Sequence, residues 1–314
     1  MSPESLKILK DRSLMLKKVR SFLDAKKIIE VDTPILVKYP SIDENIESVK
    51  THPNKKDIRY LHTSPEYLMK RLIAKNYKNI YFLGHVFRKN EIGDFHNIEF
   101  TMLEWYRSNT TFKRFIKENI DLIKLFVKFK KVEKISYFDL FYKNFKIDIF
   151  KCSKKDLIEK CKKYKIIISN IKSLKKSDFL NLLIDYFFNH LLKKNILYFV
   201  YDYPKEEAML AKTYIKDGNE VAFRFEIFFN GFELANGYLE LNDEKILRER
   251  FERIIKIKKK HLSKKNILDE NFLKSINHIG DNLFGIAIGF DRLMMLRHKT
   301  HDIKDVLYFS YLEL

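Results

Sequence analysis

Residues 96–106 read HNIEFTMLEWY, a run rich in aromatic and β-branched side chains with no Pro or Gly. That is the composition of a strand. Alternation puts Ile98, Phe100, Met102, Glu104 and Tyr106 on one face. The face carries a flat ring, a carboxylate and a phenol. A core strand does not bury a carboxylate such as Glu104 without a partner, so this face is expected to hold something. NIYFLGHVFR (79–88) also reads as a strand, and the polar residues between the two runs predict a hairpin.

Upstream, TSPEYLMKRL (63–72) starts a helix. Ser64 suits the N-cap, Pro65 the first helical position, and Glu66 lies near the positive helix end. Leu6, Leu9, Leu14, Leu16, Val19, Phe22 and Leu23 give residues 5–29 a helical period, and IIEVDTPIL (28–36) turns extended, Pro34 barring a helix. Downstream, residues 110–195 read mostly helical and lysine-rich, with Ser177 as the N-cap of SDFLNLLIDYFFNHLLKK. VAFRFEIFFNGFELANGYLEL (221–241) sets Asn230-Gly231 between aromatic-rich runs, a hairpin signal. ERFERIIKIKKKHL (249–262) is helical, and GIAIGFDRLMML (285–296) reads strand, glycine turn, helix. Strands toward both ends with helices between predict an α+β fold, an antiparallel sheet flanked by helices. The chain reads as a single domain over 1–314 with a helical insertion at about 110–195.

The 314 residues, 46% hydrophobic and 33% charged, suit a globular protein with a full core. No apolar run approaches the roughly 18 residues of a membrane span, and MSPESLKILKDRS lacks a signal-peptide segment. Cys152 and Cys161 have no metal-ligand spacing around them. These features together predict a reducing, cytoplasmic setting. A net charge of +19 suits an acidic or nucleic-acid partner. Codon bias in an AT-rich genome would produce the same excess of Lys, and the run Lys256–Lys265 also reads as a solvated helix face. The 8 glycines fall far below the roughly 22 of average composition. Six sit in pairs: Gly84 and Gly93, Gly231 and Gly237, Gly285 and Gly289. In so glycine-poor a chain they are expected to mark backbone that tolerates little else.

On VAFRFEIFF, Arg224, Glu226 and Phe228 share a face, and Glu233, Asn236 and Glu240 follow on the partner strand. Glu233 and Glu240 are an odd number apart, so a bulge near Asn236-Gly237 is expected to bring them together. The candidate polar groups are then Glu66, Arg88, Glu104, Glu226, Glu233, Glu240 and Arg292, beside Tyr106 and Phe100. Two arginines with paired carboxylates suit a phosphate–magnesium site. Carboxylates left over suit a cationic substrate. A polar sheet face dressed with surface salt bridges fits the same pattern.

Three segments in this order resemble the signature motifs of the class II aminoacyl-tRNA synthetases: IIEVDTPIL, FRKNEIGDFHNIEFTMLEWY and GIAIGFDRL. TSPEYLMKRL and FELANGYLEL are similar to the lysyl-tRNA synthetase branch. The likeness runs from about residue 10 to the end. It implies a homodimer joined through the first motif, with ATP and Mg²⁺ used to activate a lysine. That branch carries an N-terminal domain that reads the anticodon, and here the first motif begins too early to leave room for one. The resemblance is therefore nearest to the stand-alone members of the family that attach (R)-β-lysine to elongation factor P, an acidic protein shaped like tRNA. Ala287 stands where lysyl-tRNA synthetases usually have Gly, and its methyl suits a substrate with a shifted amino group.

The resemblance also implies roles. Arg88 would hold the α-phosphate and the substrate carboxylate, and Arg292 would clamp the far phosphates. Phe100 would stack on adenine, with Lys89, Asn90, His96, Asn97, Glu233 and Leu234 around the nucleotide, and Gly289 would let the backbone approach it. Glu226 and Glu233 would hold Mg²⁺. Ser64, Pro65 and Glu66 would meet the backbone-side amine of the substrate, Glu240 and Tyr106 its terminal ammonium, and Asn236 its carboxylate. Two positions depart from the family pattern: Asn90 stands where a Glu commonly binds the adenine amine, and Ile98 where a Pro follows His-Asn. The rival readings are a compact ligase resembling lysyl-tRNA synthetases that serves another acceptor, a lysine-binding paralogue without catalysis, and a basic RNA-binding module.

Overall fold

The computed structural model describes residues 3–168, 170–258 and 267–314. The chain divides into two compact units. One comprises Met1–Val127, Met209–Lys212 and Gly237–Leu314, the other Lys128–Ala208 and Thr213–Asn236.

The first unit opens with α1 (Pro3–Asp24), which buries Leu9, Arg12, Met15, Val19 and Leu23. Their 3–4-residue spacing leaves Leu14 off the buried face, and Leu6 precedes the first buried turn. Both are exposed, contrary to the broader stripe expected. β1 (Ile29–Glu30) lies parallel to a later strand, and β2 (Leu36–Val37), β3 (Val49–Asn54) and β4 (Asp57–Leu61) form a small sheet in the order β2-β4-β3. After α2 (Glu66–Ile73) come β5 (Asn79–Phe87) and β6 (Glu99–Ser108), the predicted hairpin. These strands pair antiparallel from Phe87↔Glu99 to Asn79↔Arg107, and β5 also takes β1 at its other edge. α3 (Phe112–Ile123) follows.

The second unit contains β7 (Lys131–Ser136), α4 (Tyr137–Phe145), α5 (Lys154–Lys163), α6 (Lys176–Tyr186), β8 (Ile196–Pro204), β9 (Thr213–Lys216) and β10 (Asn219–Phe229). β8 pairs parallel with β7 and antiparallel with β10, which also pairs with β9. One expectation needs adding to here and another correcting. The mostly helical segment 110–195 also holds a strand: KVEKIS forms β7, six residues in lysine-rich surroundings. Ser177 is not the cap of α6, because the Asp178 carboxylate accepts from the Lys175 amide at 2.6 Å and the helix starts at Lys176.

β11 (Phe232–Leu239) begins in the second unit and ends in the first. The first unit is completed by α7 (Glu244–Lys258), α8 (Glu270–Ile276), β12 (Leu283–Gly289) and α9 (Phe290–His298). β12 pairs antiparallel with β6, setting Gly285 opposite Tyr106 and Ala287 opposite Glu104. The end of the helix expected over 249–262, and residues 259–265 of the basic run, lie outside the described residues. Beneath the β5–β6 face, Met69 and Ile73 of α2 pack with Ile80, Phe82, Met102, Phe251, Phe272 and Leu283 in one apolar core. No helix among the described residues is long and apolar enough to cross a membrane.

Candidate active site

The face of β6 that the alternation picked out carries a buried cluster of carboxylates. Tyr106 Oη donates to Glu104 Oε1 at 2.7 Å, and Ser64 Oγ donates to Glu104 Oε2 at 2.6 Å. Ser64 Oγ also accepts from the Glu66 amide at 3.0 Å while Pro65 takes helical angles (φ −75°, ψ 0°). The predicted cap shifts by one: Pro65 takes the capping position and α2 starts at Glu66, while Ser64 still accepts from the Glu66 amide. Ser64 thereby ties the start of α2 to β6. Glu104 is 3% exposed and Glu240 1%, so these are not surface salt bridges.

Sequence reasoning missed the cation at the centre of this cluster. Lys70, 0% exposed, sits one helical turn after Glu66. Its Nζ lies 2.6 Å from Glu66 Oε1 and 2.5 Å from Glu240 Oε2. The i, i+4 spacing on α2 is the signal that was available. Burial alone would lower the Lys70 pKa, but Glu240 and Glu66 outweigh it and hold the ammonium above its ordinary range. Burial pushes Glu104 up to about 7, with Glu66 adding to the shift. It pushes Glu240 up to about 8 against the pull of Lys70.

Four residues back along β6, roughly 13 Å of strand, lies a second group. The Arg88 guanidinium stands 5.0 Å over the Phe100 ring and 3.7 Å from Glu91 Oε2. Its Nε is buried without a hydrogen-bond partner, an orphaned donor where the resemblance sets a phosphate. Asn90 takes the left-handed conformation at φ 64°, which Asn tolerates and Glu does not favour. Glu91, next in the chain, leans toward Arg88. His96 Nε2 lies 2.9 Å from Arg292 Nη2 at the start of α9. A Cβ at Gly289 would only touch the Arg292 side chain at 3.5 Å, so no packing within the chain requires that glycine. Asn97 is committed to the fold, its amide donating to Glu99 O at 2.6 Å and accepting from the Tyr311 amide at 3.0 Å. Lys89 pairs with Glu47 at 3.1 Å on the surface.

Behind Arg292, the buried Arg12 of α1 lies 2.5 Å from Asp291 Oδ1 and donates to Thr101 Oγ1 at 2.8 Å. Asp291 Oδ2 accepts from the Thr101 amide at 2.7 Å. This network locks α9 to β6 and α1. It was invisible in sequence because an arginine on the inner stripe of a helix reads as an interruption.

In the second unit, Glu226 Oε1 accepts from Arg224 Nη2 at 2.5 Å and Glu226 Oε2 from Tyr203 Oη at 2.5 Å. Arg224 and Glu226 share a face, as the alternation predicts. Burial pushes Glu226 up to about 7 against Arg224, and the charge of Glu233 adds to the rise. Leu234 is buried, Glu233 is exposed, and Asn236 Oδ1 is buried without a partner. Among the described residues no group of three or more His, Cys, Asp or Glu is placed to hold a metal ion. Mg²⁺ bound to phosphates needs only one or two carboxylates; both oxygens of Glu226 are engaged by Arg224 and Tyr203.

These shifts carry a sign. Glu104 and Glu240 hold protons to about 7 and about 8, against 4.5 ordinarily. The native state therefore binds more protons than the unfolded chain in this window, and stability falls as pH rises. Between pH 6.5 and 8, above the range of the lowered His62, Glu240 is expected to remove about 1 kcal/mol per pH unit. Calorimetric melting should show Tm falling over this window, and less steeply in Glu240→Gln. Equal slopes in the two proteins would contradict the assignment.

A family model for class II tRNA synthetases (D, K and N) matches residues 1–313, and the chain belongs to that family. Curated relatives narrow the branch. A protein of Buchnera aphidicola from Schizaphis graminum is 38% identical over 98% of this chain and 96% of its own. One of Buchnera aphidicola from Acyrthosiphon pisum (strain APS) is 37% identical over the same shares. One of Haemophilus ducreyi is 35% identical over 98% of this chain and 94% of its own. All three are named elongation factor P–(R)-β-lysine ligase.

Proposed function

We propose that residues 1–314 act as one ATP-dependent catalytic domain that joins a lysine, (R)-β-lysine or α-lysine, to a lysine ε-amine of elongation factor P. The observation that carries this reading is the arrangement along β6. Glu66, Glu104, Glu240 and Tyr106 are gathered at one end, and Arg88 stands over Phe100 at the other. Acidic groups recognise a diamine; a guanidinium over an aromatic ring suits a nucleoside phosphate. The acceptor is inferred from the names of the relatives, and a net charge of +19 suits an acidic one.

The reaction divides in two. A carboxylate oxygen of the lysine attacks the α-phosphorus of ATP, forming a C–O–P bond as the bond to pyrophosphate breaks. The acceptor amine then attacks the acyl carbon, an amide forms, its proton is lost, and AMP leaves. Arg88 balances charge at the α-phosphate and Arg292 at the leaving pyrophosphate. Glu66, Glu240 and Tyr106 hold the amines, and Asn236 orients the carboxylate. Catalysis is mostly positioning and charge stabilisation. Mg²⁺, held by Glu226 and Glu233, would neutralise phosphate charge. Exposed Ile29, Ile35 and Leu36 in the first motif suit a homodimer contact, and the setting is cytoplasmic.

Mass spectrometry of elongation factor P incubated with the protein, ATP and each lysine isomer tests the reading. The expected result is a gain of one lysine less water. Robust charging of tRNA without that gain would favour the compact synthetase instead.

A further inference from the structure

The amine pocket already contains an ammonium. Lys70 is wholly buried, and its Nζ bridges Glu66 Oε1 at 2.6 Å and Glu240 Oε2 at 2.5 Å. A buried lysine that served only packing would be replaced by an apolar side chain at no loss. This one is instead placed between the two carboxylates assigned to the two ends of a diamine. The third carboxylate, Glu104, takes no ion pair. It accepts from Ser64 and Tyr106, both neutral donors. Three carboxylates this close would not all stay ionised when buried, because each raises the proton affinity of the others. A protonated carboxyl cannot accept a bond from an incoming ammonium along the oxygen that carries the proton. Lys70 opposes that outcome. Its charge is the largest influence lowering the proton affinity of Glu240, and it lowers that of Glu104 as well.

We propose that Lys70 is a positioning residue that bridges Glu66 and Glu240 and aims both carboxylates, so that the pocket accepts a substrate bringing two ammonium groups. The inference rests on the reading of this cluster as the lysine site. Each of the two carboxylates that Lys70 bridges is assigned to one ammonium of a lysine, and a monoamine would leave one of them unfilled. The charged and titratable groups facing the cluster are Glu66 and Lys70 of α2, Glu104 and Tyr106 of β6, and Glu240.

The test uses the full chain, with lysine binding measured by calorimetry across pH, ATP binding as a control, and two variants. Lys70→Met keeps the volume and removes the charge. It is expected to weaken lysine binding at pH 7 by roughly tenfold or more, to move the binding profile to higher pH, and to leave ATP affinity unchanged. Lys70→Ala leaves room for a small ligand. Ethylammonium is expected to restore its lysine binding and ethanol is not; this arm also decides the matter if Met is not tolerated. A folded Lys70→Met with unchanged affinity and pH profile would overturn the proposal, as would equal rescue of Lys70→Ala by ethanol. A wild-type protein that binds no diamine would overturn this inference together with the reading beneath it; the variant results overturn the inference alone.

Discussion

Replacing Arg88 by Ala is expected to lower lysine-dependent ATP–pyrophosphate exchange about 10³-fold while leaving the protein folded. The rate estimate follows from what a guanidinium contributes when charge develops on a transferring phosphoryl group, about 10³-fold or more. The stability estimate follows from the surroundings of Arg88. Its ion pair with Glu91 spans 3.7 Å between side chains that are 25% and 28% exposed, and such pairs contribute less than about 1 kcal/mol. Its stacking over Phe100 at 5.0 Å adds a similar amount. Its backbone amide, bonded to Ile98 O at 2.9 Å, is kept by any residue. Arg88→Lys keeps the charge and loses the planar fork, so roughly tenfold or greater loss is expected there as well. Exchange kinetics beside a melting curve decide the matter. An Arg88→Ala protein with exchange within a few-fold of wild type would remove Arg88 from the phosphate site and with it the orientation of ATP along β6.

The parts of the site that could be read from sequence share a physical property: each depends on local periodicity. Glu104 and Tyr106 lie two apart on a strand, and their 2.7 Å hydrogen bond follows from alternation alone. Arg224 and Glu226 repeat the same logic on β10. The Ser64 hydrogen bond at the start of α2 and the glycine turn into α9 are likewise short-range signals. What stayed hidden depends on long-range geometry or on competition between neighbours. Lys70 reads as one more lysine among 61 basic residues, and only tertiary contact with Glu240 identifies it as buried. Arg12 and Asp291 are 279 residues apart, beyond any periodicity. Ser177 lost the capping position to Lys175, whose amide is held by the carboxylate of Asp178 at the third helical position. In sequence, Asn90 is a departure from the Glu that commonly binds the adenine amine. In the fold it is first a turn residue at φ 64°, a conformation for which Asn is several-fold enriched.

Gly285 shows how an absent side chain can define a pocket, and Gly285→Ala is expected to disable it. In register, Gly285 faces Tyr106 across the β12–β6 pair. A Cβ there would collide with Glu240 Oε1 and with two carbons of the Tyr106 ring. Neither neighbour has an easy retreat. Tyr106 is held by Glu104, and Glu240 by Lys70; Tyr106 packs in the same apolar cluster as Met69, Ile80, Met102 and Leu283, and Glu240 is 1% exposed. Overpacking of this kind costs about 1–3 kcal/mol, which a domain of this size tolerates. The larger effect falls on ligand geometry. Displacing Glu240 and Tyr106 by about an ångström is expected to raise the KM for lysine on the order of 100-fold. ATP affinity should be preserved, because Arg88, Phe100 and Arg292 lie away from the clash. The pattern to look for is a large change in the lysine KM of pyrophosphate exchange with a small change in the ATP KM and a lowered but cooperative melt. Ordinary lysine kinetics in a folded Gly285→Ala protein would mean that Glu240 and Tyr106 do not touch the substrate, and the acidic end of β6 would then have to be read as structure alone.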